Sequence, residues 1–200
     1  MNCAIKLTGT VTSGMAKRMR AGAIAAFVTM MAGPALAEEH GAHDASGIID
    51  ELRIGVMDHD TNLFGNNEED GTDVNLEILF DSPDWLAWAG APRPQLGGTI
   101  NFEGNTSFGY GGLAWDWNFW NPFFVEGSLG IAVHNGETGK VPVGAKELGC
   151  RWNFHESASL GVNITDNHRV MATVEHISNA SICSENEGLT NVGVRYGYRF

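Results

Sequence analysis

The last twelve residues, Leu189 to Phe200, alternate strictly: Val192, Val194, Tyr196, Tyr198 and Phe200 share one face, and Asn191, Gly193, Arg195, Gly197 and Arg199 the other. A period of two marks a β-strand. A strand apolar on one face, polar on the other and closed by a terminal aromatic residue predicts the last strand of a transmembrane barrel, with lipid outside and polar side chains inside.

The amino-terminal region predicts export. Lys17, Arg18 and Arg20 precede an apolar run from Ala21 to Met31 that ends in Ala35-Leu36-Ala37, a small-residue cleavage signature. The run is shorter than the roughly 20 apolar residues a spanning helix needs, so residues 1–37 read as a signal peptide and 38–49 as a flexible periplasmic leader. The barrel itself reads as residues 50–200. Removing 1–37 takes away Lys6, Lys17, Arg18 and Arg20 and no acidic group, leaving 8 basic against 24 acidic residues, a formal charge of −16. That charge excludes nucleic acid as a partner. A mean hydropathy of −0.12 excludes a helical membrane protein but not a barrel with a polar lumen.

Eight strands follow from parity, an even number that gives an all-β, antiparallel transmembrane barrel of the bacterial outer membrane. Leu52, Ile54 and Val56 mark the first outward row; Val74, Leu76, Ile78 and Phe80 the second; Leu96, Ile100 and Phe102 the third. Leu113, Trp115, Trp117 and Phe119 mark the fourth, and Phe123, Val125, Leu129, Ile131 and Val133 the fifth. The sixth is the longest, one parity running from Leu148 through Cys150, Trp152, Phe154, Ala158, Leu160 and Val162 to Ile164, broken only by Glu156. Val170, Ala172 and Val174 mark the seventh, and the terminal strand is the eighth. A soluble sandwich would have to pack those outward faces into a core. The export signal, terminal aromatic and even count favour the membrane. Short turns at Asn121-Pro122 and Thr165-Asp166-Asn167 belong on the periplasmic side. The long connection 82–93 should lie there too, and its Trp85, Leu86 and Trp88 predict an interfacial turn or short helix.

The parity that sends Val170, Ala172 and Val174 to lipid also sends His176 and Ser178 outward. Polar groups on a lipid face need a reason. An imidazole two residues from a hydroxyl on one strand face can take its proton and make Ser178 a nucleophile toward an ester. Closing the turn by pairing Ile164 with His168 places Glu156 opposite His176, with Cβ atoms roughly 4.5–5.5 Å apart. Cys150 and Cys183, the two thiols left after export, fall on neighbouring elements, where a disulfide or two free thiols are both open. The acidic first loop, with Asp58, Asp60, Glu68, Glu69, Asp70 and Asp73, reads as solvated charge, with divalent-cation binding as the alternative. There is no His/Cys cluster with metal-ligand spacing.

The segments His176-Ile177-Ser178-Asn179-Ala180, Asn186-Glu187-Gly188 and Gly193-Val194-Arg195-Tyr196-Gly197-Tyr198-Arg199-Phe200 resemble the lipid A 3-O-deacylases, the PagL family. Asp50-Glu51-Leu52-Arg53-Ile54-Gly55 and Glu69 to Glu77 extend the resemblance upstream. It implies an outer-membrane esterase, free of cofactors and metal, that removes the ester-linked 3-hydroxyacyl chain at position 3 of lipid A in lipopolysaccharide. It also implies Ser178 as nucleophile, His176 as general base and Asn186 in the oxyanion site. The family's acid falls where this chain has Thr190, so Glu156, by strand pairing, and Glu187, by loop proximity, are the candidate acids in that order. A dyad aided by Thr190 is a third arrangement. The rival class is a non-catalytic structural or adhesive barrel, and pairing of two barrels into a homodimer stays open.

Overall fold

A computed structural model describes residues 48–141 and 144–200. The expected signal peptide and the leader as far as Gly47 lie outside the described residues. The strands are β1 (Ile49–Asp58), β2 (Thr72–Phe80), β3 (Arg93–Asn101), β4 (Phe108–Trp120), β5 (Phe123–His134), β6 (Trp152–Asn163), β7 (His168–Ser178) and β8 (Leu189–Arg199). Each pairs antiparallel with the next, and β1 pairs with β8 to close an eight-stranded barrel. The alternation of the sequence is the alternation of the wall. On β1, Leu52, Ile54 and Val56 are exposed while Glu51 and Arg53 are buried; on β8, Val194, Tyr196 and Tyr198 are exposed while Arg195 is buried.

The lumen of a barrel this narrow is filled by side chains, and here they are mostly ionic. Arg53 binds Glu51 at 2.7 Å, Glu77 at 2.8 Å and Glu126 at 2.6 Å. Arg93 joins Asp50, Glu51 and Asp116, and Arg195 holds Glu175 at 2.7 Å. Tyr110 stacks on His155 with ring centroids 3.9 Å apart and donates to Glu77. Buried charges persist only when paired, and removing one partner costs about 3–5 kcal/mol. The network therefore ties β1, β2, β3, β4 and β5 together from within and holds the wall as a rigid support. At the extracellular end Phe108, Tyr110, Ala132, Leu148, Ile177 and Leu189 form an apolar plug over it.

Three local features refine the parity reading. The connection after β2 carries a 3-10 helix, Asp84–Ala89, with Leu86 buried and Trp85 and Trp88 exposed by 71% and 85%. Indoles so exposed beside a membrane surface suit the headgroup level. Gly104, with φ +95°, makes the short extracellular turn after β3, where Asn101 Oδ1 accepts the N–H groups of Glu103 and Asn105. The sixth strand is shorter than its parity suggests. Gly149 at φ +76° breaks the chain out of the sheet, so Leu148 turns inward and is fully buried in the plug rather than facing lipid.

Candidate active site on the outer wall

Strand β7 places His176 and Ser178 on either side of Ile177, which is fully buried in the plug, so both polar residues belong to the outward row. Ile164 N–H donates to the His168 carbonyl at 2.8 Å and sets the turn between β6 and β7. The resulting register pairs Glu156 with His176 and Phe154 with Ser178. On the other flank, β8 pairs Thr190 with His176. The imidazole thus sits between a carboxylate residue and a threonine on three adjacent strands.

The hydrogen bond goes to the threonine: His176 Nδ1 and Thr190 Oγ1 are 2.8 Å apart. Glu156 makes no hydrogen bond to the imidazole, and its Oε2 is buried without a partner. Ser178 is buried, and no hydrogen bond joins its hydroxyl to His176 in this resting arrangement. Such contacts commonly tighten only when substrate binds. Gly188, at φ +67°, lies against the ring: a Cβ there would stand 2.8 Å from His176 Cε1 and 3.2 Å from Nε2. Backbone conformation and space both call for glycine at that position.

The loop from 179 to 188 is organised by Asn179, a fully buried residue to which sequence reasoning assigned no role. Its Nδ2 donates to the carbonyls of Leu148 at 2.8 Å and Glu185 at 2.6 Å, and its N–H donates to Asn186 Oδ1 at 2.9 Å. A polar residue at the point where an outward row ends was the available signal. With Oδ1 so occupied, Asn186 turns its Nδ2 donor the other way, where it donates to Ser181 Oγ at 3.5 Å. Glu187 is directed elsewhere, its Oε2 accepting the Glu147 N–H at 2.8 Å. Cys150 and Cys183 form a disulfide with Cα atoms 5.9 Å apart, joining this loop to the β5–β6 connection. A cross-link closing a loop of 33 residues contributes about 3–4 kcal/mol in the chain-entropy description.

Three of the acidic groups read as solvated are not. Asp60, Glu69 and Asp73 are buried. Lys146 Nζ binds Asp60 at 3.0 Å, while His59 bridges Asp73 at 2.7 Å and Glu69 at 3.0 Å. Glu69 also accepts the N–H groups of Thr106 and Lys146. Burial lowers the His59 pKa, but its bonds to Asp73 and Glu69 outweigh that and raise it to about 9; burial raises that of Glu69, and its bonds to His59, Thr106 and the Lys146 N–H hold it at about 2. The His59 contribution is complete below its ordinary value of 6.5 and is lost as pH rises through about 9. The Glu69 contribution is present above 4.5 and lost as pH falls through about 2. Amide hydrogen exchange, corrected for its intrinsic pH dependence, is expected to show protection of residues 59–71 falling as His59 loses its proton. Constant protection across that window would remove His59 as the fastening.

The model of the family described as lipid A 3-O-deacylase (PagL) matches residues 80–199. Among solved structures, the outer membrane enzyme PagL is similar over 74% of this chain and 99% of its own, at 19% identity and a TM-score of 0.57, which shows a shared fold. A de novo designed transmembrane β-barrel is similar over 79% of this chain and 100% of its own, at 10% identity and a TM-score of 0.49. The N-terminal β-barrel domain of Pseudomonas aeruginosa OprF is similar over 74% and 98%, at 11% identity and 0.45. No curated protein matches the sequence.

Proposed function

The chain belongs to the lipid A 3-O-deacylase (PagL) family of outer-membrane β-barrel enzymes, and we propose that it removes the ester-linked 3-hydroxyacyl chain at position 3 of lipid A, with Ser178 as nucleophile and His176 as general base. The observation that carries this reading is the imidazole held through Nδ1 by Thr190 on the outward row that also carries Ser178. The tautomer this role requires has Nδ1–H donating to Thr190 Oγ1, which leaves the Nε2 lone pair for the serine proton.

Ser178 Oγ attacks the acyl carbonyl as Nε2 takes its proton. The tetrahedral intermediate collapses, the sugar oxygen leaves with that proton, and the acyl group stays on Ser178. Water, deprotonated by the same Nε2, then releases the 3-hydroxy fatty acid and restores the serine. Glu156, paired across the strand from His176 and with its Oε2 unpartnered, is the acid proposed to favour the imidazolium formed in each step. Asn186 Nδ2 is the candidate donor to the oxyanion, a role worth roughly 2.7–4 kcal/mol. No cofactor or metal enters the scheme.

A fluorophosphonate probe tests the nucleophile directly, because a serine displaces its fluoride and is phosphonylated only where a base activates it. Peptide mass analysis is expected to place the adduct on Ser178 in the intact barrel and to find little in a His176→Ala variant. Labelling of another serine, or equal labelling of the two proteins, would leave a non-catalytic barrel as the better description.

A further inference from the structure

The first extracellular connection is polar almost throughout, yet its tip carries Leu63 and Phe64, exposed by 55% and 58%. They do not hang free. Thr61 N–H donates to the Thr190 carbonyl at 2.6 Å and Asp60 N–H to Asn191 Oδ1 at 3.0 Å, so the loop is pinned to the start of β8, beside the residue that holds the imidazole. Asn62 Oδ1 accepts the Asn67 N–H at 2.9 Å and closes the tip. A Cβ on Gly65 would lie 3.6 Å from the Glu187 carbonyl, which seats the tip against the loop after β7. The outcome is an edge-on contact of Phe64 with His176, ring centroids 6.1 Å apart at 77°.

On the far flank of the same row, Phe154 stands opposite Ser178 and packs edge-on to Trp152, with Ile131 next to it on β5. The His176 and Ser178 row therefore runs between an aromatic wall supplied by β6 and another supplied by the first loop. Loop residues that expose large apolar groups next to a polar reactive row need an apolar occupant. Any ester whose carbonyl reaches Ser178 must lay its hydrocarbon chain along one of these walls.

We infer that Leu63 and Phe64 are specificity-determining residues, forming the wall that takes the acyl chain of the scissile ester and selects its length. The inference rests on the esterase reading above. A chain long enough to cover Phe64 gains apolar contact at no polar cost, whereas a shorter one leaves the ring partly in water. The loop thus adds chain-length preference to a site whose chemistry lies entirely on the barrel.

The test is competition between two lipid A preparations that differ only in the chain at position 3, 3-hydroxydecanoyl or 3-hydroxytetradecanoyl, with released acids counted by mass spectrometry. Wild-type protein is expected to favour the longer chain. In Leu63→Ala/Phe64→Ala that preference should fall by about tenfold, the effect of losing contact with a few methylene groups, and the fall should be carried by KM for the longer chain. Phe64→Leu should restore most of it, which a general loss of loop structure would not allow. An unchanged ratio in the double variant overturns the inference while leaving the esterase reading intact. Absence of release by wild-type protein from either preparation overturns both.

Discussion

Replacing His176 with alanine is expected to lower lipid A ester hydrolysis by about 10²–10⁴-fold, the range that a positioned general base contributes. The loss should appear in kcat, because the imidazole acts on a proton in flight rather than on the bound ester. Ser178→Ala should be at least as damaging, and the two together no worse than the serine change alone, since groups that work as one unit are not additive. The barrel should survive these changes. The side chains lie on the outer row, apart from the paired lumen charges and from the plug of Phe108, Leu148, Ile177 and Leu189. Additive losses would mean that the two residues act separately.

The second large effect runs in the opposite direction. Thr190→Glu is expected to raise kcat by roughly tenfold to a hundredfold, because a carboxylate on Nδ1 makes a charge-assisted hydrogen bond about twice as strong as a neutral one and stabilises the imidazolium in both steps. The position already holds Nδ1 at 2.8 Å through a neutral hydroxyl. In the wild-type background Glu156→Gln should reduce the rate, since that side chain then carries the only acidic charge paired across the strand from His176. In the Thr190→Glu background the same change should matter little. A double-mutant cycle on kcat reads the coupling. If Thr190→Glu leaves the rate unchanged or lowers it, Thr190 does not orient the base.

Most of the barrel was legible because a wall between lipid and a filled lumen forces a period of two, and β8 carries it almost without exception. The pairing of Glu156 with His176 was legible too, since a tight turn at Thr165-Asp166-Asn167 leaves little freedom of register. The start of β6 was not. Leu148 and Cys150 keep the parity of the row, and only the positive φ of Gly149 turns Leu148 inward. The partner of the imidazole was also beyond parity, because Glu156 and Thr190 flank it on the same face and side-chain torsions select between them. Loops carry no period, so neither the contact of Phe64 with His176 nor the burial of Asp60 against Lys146 left a trace in spacing.

The most direct measurement is the mass spectrum of lipid A from cells producing the full chain or its Ser178→Ala form at equal outer-membrane levels. An ester-cleaving row on the outside of the barrel predicts species lighter by one 3-hydroxyacyl group with the wild-type chain and their absence with the variant. The same lipid A pattern from both would contradict it.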